Sequence, residues 1–207
     1  MAFSPDLKHV LSQDRKEVYP ASQDTFLMID ALLGDLDFIK ALKPTIVVEI
    51  GVGSGAVLAS LGVHLESCYL VGVDINHKAS LLASRTAAAN SVSLVDFVTT
   101  SVFANINFKG KVDVIVCNPP YVVTPEEEYK EAQLKKDISS SYAGGTRGRE
   151  FIDQLLPVAN EMLSDSGVMY LLYEEANGHL EGLKLLERRE GCEALTVIRK
   201  SKFNNEE

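Results

Sequence analysis

A glycine-rich turn directly after a buried-strand pattern is the feature that most constrains the fold of this chain. Residues 45–50 are almost all β-branched, which is typical of a strand covered on both faces. Gly51, Gly53 and Gly55 follow at once, and residues 56–65 then have a helical pattern. Because glycine permits tight turns and lets a ligand lie against the backbone, the sequence predicts a strand, a binding loop and a helix in succession.

The rest of the chain repeats this alternation of short apolar runs and amphipathic segments. Strands are predicted at residues 45–50, 69–74, 95–102, 112–117, 168–173 and 194–199. Helices are predicted at residues 56–65, 77–90, 149–163 and 180–188, and another is predicted to begin near residue 125, with Thr124 as its cap. This alternation predicts an α/β fold with a mainly parallel sheet flanked by helices. No repeat or linker divides the chain, so we expect a single domain over residues 1–207.

Charge and cysteine content exclude several classes of protein. The formal net charge is −9, and nucleic acids are bound largely through Lys and Arg, so we expect no direct binding of DNA or RNA. No run reaches the roughly 18 apolar residues of a membrane span, and the first residues lack the apolar stretch of a signal peptide, so we expect neither feature. The three cysteines, Cys68, Cys117 and Cys192, are widely spaced. This spacing predicts reduced thiols in a cytoplasmic or nuclear protein, and no metal site.

The spacing of the glycines indicates which ligand the loop holds. In the dinucleotide fingerprint the third glycine follows the first by five residues, whereas Gly55 follows Gly51 by four (55 − 51 = 4). An acidic residue, Glu49, precedes the loop, and Asp74 ends the second strand, where a carboxylate can accept hydrogen bonds from ribose hydroxyls. This variant resembles motif I of class I methyltransferases and disfavours a nicotinamide-dependent oxidoreductase. Taken separately, each feature is equally consistent with a structural turn or a helix cap.

The fourth apolar run ends in Asn118, Pro119, Pro120 and Tyr121. The prolines fix the backbone, so that the Asn118 amide oxygen and the Pro119 carbonyl can accept both hydrogens of an NH2 group, while Tyr121 offers a flat face. Such acceptors stabilise the positive charge that a delocalised nitrogen develops as a methyl group arrives. The structural alternative is a polar turn. We interpret these four residues as the catalytic site, and by themselves they leave glutamine and adenine open as substrates.

With these motifs the sequence resembles the HemK-like family of amino-methyltransferases, and in particular its short eukaryotic branch. The resemblance runs over about residues 18–200 and includes residues 18–19, 24–27, 118–125 and 143–150. It implies a class I, Rossmann-like methyltransferase with a seven-stranded, mainly parallel sheet. Residues 1–40 would then cover the cofactor site, and residues 41–203 would form the catalytic core.

The resemblance also implies the reaction and its residues. The donor would be S-adenosyl-L-methionine, which leaves as S-adenosyl-L-homocysteine, and the substrate would be the glutamine in the Gly-Gly-Gln loop of a peptide release factor. The residues that would contact the cofactor are Thr25, Glu49, Gly51, Gly53, Gly55, Asp74, Asn76, Ser101, Val102 and Asn118. Ser101 stands where the family usually has an aspartate, so weaker donor binding is expected.

The eukaryotic branch acts as a heterodimer with a small zinc-binding activator protein that joins the sheet edge. Strand three is the predicted edge, where Val95, Phe97 and Val98 are equally consistent with an apolar contact or with ordinary core. Arg147 and Arg149 are candidates for contact with the release factor or for pairing with nearby carboxylates. Two other functions stay open: an adenine-N6 methyltransferase acting on DNA or RNA, and a non-catalytic scaffold subunit with a methyltransferase fold, which Ser101 favours.

Overall fold

A computed structural model describes residues 4–101, 107–174 and 177, and the backbone of residues 184–188 and 195–201. The strands are β1 (Ile46–Ile50), β2 (Tyr69–Asp74), β3 (Val95–Thr99), β4 (Val112–Cys117), β5 (Leu163–Glu174), β6 (Lys184–Arg188) and β7 (Leu195–Ser201). The helices are α1 (Asp14–Glu17), α2 (Gln23–Gly34), α3 (Leu36–Ala41), α4 (Ala56–Gly62), α5 (His77–Ala89), α6 (Glu126–Lys135) and α7 (Glu150–Met162). A short 3₁₀ helix spans Ile138–Ser141.

These strands form one sheet in the order β3-β2-β1-β4-β5-β7-β6. The strands β1 to β5 are parallel to one another, and β7 is antiparallel to both β5 and β6. The expected α/β fold with a mainly parallel sheet is therefore confirmed. The strand order reverses between β1 and β4, since the chain proceeds from β1 towards β3 on one side and from β4 towards β5 on the other.

Apolar clusters cover both faces of the sheet. Successive side chains of a strand point to opposite faces, and accordingly Val47 packs in one cluster and Val48 in the other. The first cluster contains the apolar faces of α2 and α4, including Leu27 and Leu58. The second contains Ile152 and its neighbours on α7. The N-terminal helix α2 thus packs in the same core as the sheet.

Two predictions of local structure were wrong. A helix was predicted at residues 180–188, but Lys184–Arg188 form the strand β6. Backbone pairing with β7 overrides the helical pattern there. Residues 178–183 lie outside the described residues. Thr124 does not cap α6, whose N-cap is Pro125. Instead the buried Thr124 hydroxyl accepts a hydrogen bond from the backbone N–H of Gly145 at 3.0 Å.

Other element boundaries differ by a few residues. The predicted third strand ends at Thr99 instead of residue 102, and Val102 lies outside the described residues. The predicted helix at 56–65 ends at Gly62. Among the described residues, none of the helices combines the length and apolar character needed to cross a bilayer.

Gly55 and Gly110 provide a matched pair for testing the packing of the loop against α5. Both have positive φ, +77° and +68°, so alanine at either position adds backbone strain of about 1–2 kcal/mol. A Cβ on Gly55 would lie 2.7 Å from Ala83 Cα, whereas a Cβ on Gly110 would meet nothing within 4 Å. We expect Gly55→Ala to lower the free energy of unfolding in urea by about 1–3 kcal/mol more than Gly110→Ala. Equal losses would contradict this packing.

Candidate functional site

A cleft opens at the carboxyl ends of β1, β2 and β4, where the strand order reverses and α/β sheets bind their ligands. Its empty volume, including the open mouth, is about 1280 Å³. The structure brings most of the predicted site residues together in its lining: Thr25, Glu49, Gly51, Gly53, Asp74, Asn76, Ser101, Asn118, Pro119, Pro120 and Tyr121.

The glycines of the loop have two different surroundings. At Gly51 and Gly53, which have φ of +74° and +51°, the nearest atoms to an added Cβ are 3.9 Å away. These two residues therefore offer bare backbone to the cleft. Gly55 does not line the cleft and instead lies against Ala83 of α5, so its lack of a side chain serves helix packing.

Asp74 lies at the end of β2 and joins the loop to the next helix. Its Oδ2 accepts a hydrogen bond from Gly53 N at 2.9 Å, and its Oδ1 accepts one from Asn76 N at 2.8 Å. Burial raises the pKa of this carboxyl above its usual value, and the backbone N–H groups oppose that rise. A carboxylate has about four lone-pair positions, so Asp74 can still accept hydrogen bonds from ligand hydroxyls.

Asn76 lines the cleft, but its side chain holds the surrounding structure together. Its Oδ1 accepts from Lys78 N at 2.9 Å and caps α5, while its Nδ2 donates to the carbonyl of Glu17 at 2.8 Å. Val18, the next residue, is buried against Ala79 of α5. These contacts fix the N-terminal segment over the cleft.

Glu49 is the buried carboxyl beneath the glycine loop. Its side chain is nearly inaccessible, and its Oε2 has no hydrogen-bond partner among the described residues. Burial raises the pKa of Glu49 well above its usual value, and the negative charge of Asp74 adds to this rise. An unpartnered buried oxygen is costly. Its position in the lining of the cleft therefore fits a ligand that brings a hydrogen-bond donor or a positive charge.

Asn118 and Tyr121 follow β4 and share one partner, Asp24, near the start of α2. Asn118 Nδ2 donates to Asp24 Oδ2 at 3.1 Å, and the Tyr121 hydroxyl donates to the same oxygen at 3.3 Å. Burial and the Asp24 charge raise the pKa of Tyr121, which keeps its hydroxyl protonated. Sequence reasoning assigned no role to Asp24, because no spacing pattern links residues 94 positions apart.

The segment that begins at Tyr121 is held by the loop at residues 142–148 through backbone contacts. Val122 N donates to the Tyr142 carbonyl at 3.0 Å, and Gly144 N donates to the Val122 carbonyl at 2.8 Å. A Cβ on Gly148 would lie 2.2 Å from the Tyr121 carbonyl oxygen. That same oxygen accepts from Asn177 Nδ2 at 2.9 Å. The loop therefore supports the backbone that carries Asn118.

The other candidate residues from the sequence are Ser101, Arg147 and Arg149. Ser101 lines the cleft beyond the end of β3. Arg149 pairs with Asp153, with Nε 2.9 and 3.0 Å from its two oxygens, and Arg147 lies 3.9 Å from the same carboxylate. Within the described ranges, no group of His, Cys, Asp or Glu is arranged to hold a metal ion.

Comparison with known proteins adds a family to this geometry. Residues 30–135 match the family model described as the methyltransferase small domain. The chain is 36% identical to the methyltransferase HEMK2 of Mus musculus, over 96% of each chain. It is 27% identical to the eRF1 methyltransferase catalytic subunit mtq2 of Schizosaccharomyces pombe, over 99% of this chain and 98% of that one. It is 28% identical to a release factor glutamine methyltransferase of Fusobacterium nucleatum, over 73% of this chain and 42% of the relative.

Glu49→Gln tests whether the buried carboxyl beneath the loop serves binding at the expense of stability. Below the unfolded-state pKa, glutamate is protonated in both states, and we expect the variant and the wild type to unfold with similar free energies. Above it, only the unfolded wild-type residue ionises until the raised folded pKa is reached, so the wild type loses stability. We expect the variant's advantage to grow by up to about 1.4 kcal/mol per pH unit in this interval.

The same variant should bind S-adenosylmethionine about tenfold more weakly or worse, because the donor's positive charge favours an ionised carboxylate, which glutamine cannot supply. Urea unfolding between pH 4 and 8 and calorimetric titration of the donor measure the two effects. A Glu49→Gln protein that is less stable than wild type at every pH, or that binds the donor equally well, would contradict this account of Glu49.

Proposed function

Since the chain belongs to the HemK-like family of S-adenosylmethionine-dependent amino-methyltransferases, we propose that it methylates the side-chain nitrogen of a glutamine in the Gly-Gly-Gln loop of a peptide release factor. The observation that carries this proposal is the acceptor pair at the end of β4. Asn118 and Pro119 line the same cleft as Glu49 and Asp74. An NH2 group held by the first pair would lie beside a donor held by the second.

The donor side of the cleft suits S-adenosylmethionine. Asp74 would accept hydrogen bonds from the ribose hydroxyls, and Glu49 would offer its unpartnered oxygen to the positively charged end of the donor. The bare backbone of Gly51 and Gly53 would form the floor. Thr25 and Ser101 would contribute hydroxyl groups, and the uncharged Ser101 would hold the adenine amino group less strongly than an aspartate would. When bound, the donor supplies a methyl group on a positively charged sulfur.

The acceptor side makes a poor nucleophile reactive. An amide nitrogen shares its lone pair with its carbonyl group, and two acceptors on its hydrogens would stabilise the positive charge that develops on it. Asn118 Oδ1 and the Pro119 carbonyl supply these acceptors, and the Tyr121 ring supplies a face for the planar amide. The nitrogen lone pair forms the new bond to carbon as the carbon–sulfur bond breaks and its electrons go to sulfur. The extra proton then leaves the methylated nitrogen to water.

Holding both reactants supplies much of the rate enhancement. Fixing two groups in a reactive geometry contributes on the order of 7–11 kcal/mol to the barrier reduction. Residues 142–148 support the backbone of Tyr121 and Val122 through hydrogen bonds and close glycine packing. This support gives a structural reason why the resemblance to the family includes residues 143–150 as well as the Asn118–Tyr121 motif. A substrate in translation termination would place the proposed activity in the cytoplasm.

Protein is favoured over nucleic acid as the substrate by charge. The formal net charge of −9 opposes the approach of a phosphate backbone. Two of the relatives described above, from Schizosaccharomyces pombe and Fusobacterium nucleatum, are named as methyltransferases of release factors, and this supports the same substrate class here. Adenine also presents a planar NH2 group, so it is the alternative that the substrate assay must exclude.

We further propose that a zinc-binding activator protein covers the free edge of β3 and forms a heterodimer with this chain. In the described sheet, β3 has β2 as its only neighbour. Phe97 and Val95 turn inward and pack against the core that contains α2 and α4. Val98 points to the other face and is 42% exposed, and Leu94 just before the strand is 47% exposed. An unpaired strand with exposed apolar side chains suits strand addition by a partner.

A labelled-donor assay tests the proposed function. With the activator present, we expect the methyl label to enter a release factor and not an adenine-containing oligonucleotide, and to be lost when the glutamine of its Gly-Gly-Gln loop is replaced by Ala. Asn118→Ala should abolish transfer, by at least about 10²-fold, while donor affinity falls much less, because its acceptor contact goes mainly to the substrate. Label in the oligonucleotide alone, or near-normal turnover of Asn118→Ala, would refute the proposal.

Val98→Asp tests the proposed activator surface. A charge placed in an apolar contact should reduce co-purification of the activator by about tenfold or more, because the carboxylate would be buried without a partner. Leu134→Asp on α6 is the matched control, since Leu134 is 82% exposed and lies on the helix that follows β4, not on β3. Equal recovery of the activator with both variants would show that β3 is not its binding site.

A further inference from the structure

The side-chain amide of Asn118 must face the substrate with its oxygen and not with its NH2 group. The two ends of an amide have nearly the same shape, and a half-turn about the last side-chain bond exchanges them. The prolines that follow fix the backbone of Asn118, but they do not determine which end of the amide points into the cleft. A separate contact must make this choice, because NH2 facing NH2 would repel the substrate.

The contact that makes this choice is the carboxylate of Asp24. Asp24 is only 4% exposed, although it is an acidic residue in the first turn of α2. Its Oδ1 accepts from Thr25 N at 2.7 Å and from the Ser22 hydroxyl. Its Oδ2 accepts from Asn118 Nδ2 at 3.1 Å and from the Tyr121 hydroxyl at 3.3 Å. A carboxylate only accepts hydrogen bonds, so it attracts the NH2 end of Asn118 and repels the oxygen.

We propose that Asp24 is a positioning residue that holds the Asn118 amide with Oδ1 towards the substrate nitrogen. The inference rests on the proposed function, since it concerns how that reaction's acceptor is oriented. Asp24 also holds the Tyr121 hydroxyl, so one carboxylate from the N-terminal segment orients two side chains that follow β4. The segment then completes the substrate side of the cleft in addition to covering the donor.

The variant Asp24→Asn should reverse the orientation of the Asn118 amide, while the side chain at position 24 keeps nearly the same shape. Three donors, Thr25 N and the hydroxyls of Ser22 and Thr25, would keep the oxygen of the new amide on their side. Its NH2 group would then face Asn118, which would turn to offer Oδ1 to it and would present Nδ2 to the substrate. We expect kcat to fall by about tenfold or more, while the dissociation constant of S-adenosylmethionine changes by less than about threefold.

An exchange of the two residues provides a rescue that a purely structural role would not give. In Asp24→Asn/Asn118→Asp, the amide at position 24 donates to the carboxylate at position 118, whose second oxygen is free to accept from the substrate. In Asn118→Asp alone, two carboxylates would face each other across the present 3.1 Å contact. We expect the double variant to turn over at least about tenfold faster than either single variant.

Gln23→Gly is the matched control for weakening the start of the helix. Gln23 is the exposed first residue of α2 and does not line the cleft. We expect its kcat to stay within about threefold of wild type, even where its thermal stability falls. A Gln23→Gly loss of kcat as large as that of Asp24→Asn would overturn the positioning role. So would a double variant no faster than Asp24→Asn.

Proton exchange of the Asn118 side-chain amide, followed by NMR, tests the contact without any substrate and without a variant that must fold. In the wild type with S-adenosylhomocysteine, the amide proton bonded to Asp24 should exchange with water about tenfold more slowly than the protons of an exposed asparagine. Rapid exchange would overturn the proposal. Slow exchange in a protein that fails to methylate the release factor would support the contact between Asp24 and Asn118 and refute the proposed function, so the two failures are distinguishable.

Discussion

The site depends on the parallel pairing of β1 with β4 at the point where strand order reverses. Because these neighbouring strands end at the same edge, the glycine loop after β1 and the Asn-Pro-Pro-Tyr segment after β4 meet there. The meeting is close: an added Cβ on Gly51 would lie 3.9 Å from the carbonyl oxygen of Asn118. A donor lying on the glycine loop is thereby beside the group that would hold the acceptor, and methyl transfer requires this proximity.

The N-terminal segment makes the second essential contribution. Its helix α2 packs its apolar face in the core beneath the sheet, and its first turn carries Asp24 and Thr25 into the cleft. Burying an acidic residue is costly unless hydrogen bonds satisfy it, and Asp24 accepts five of them. Those bonds join α2 to the residues after β4. Packing energy from the core thus holds a polar network in the geometry that the proposed chemistry requires.

Local patterns in the sequence predicted much of the fold and many of the residues that line the cleft. The boundaries of β2 and β4 follow from continuous apolar runs, and Glu49 and Asp74 stand at strand ends that the α/β rule selects. Contacts between distant residues gave no such signal. Asp24 and Asn118 meet only through folding, Thr124 bonds Gly145 instead of capping α6, and β6 owes its extended form to pairing with β7. Each of these depends on tertiary context, which periodicity and capping patterns do not contain.

A crystal structure of the chain with S-adenosylhomocysteine and a peptide containing the Gly-Gly-Gln sequence tests the central claim most directly. The account predicts that the cofactor product lies over Gly51 and Gly53 with its ribose at Asp74. It also predicts that the glutamine nitrogen lies about 3 Å from both Asn118 Oδ1 and the Pro119 carbonyl oxygen. A peptide amide bound elsewhere, or an Asn118 whose Nδ2 has left Asp24 and faces the glutamine, would contradict it.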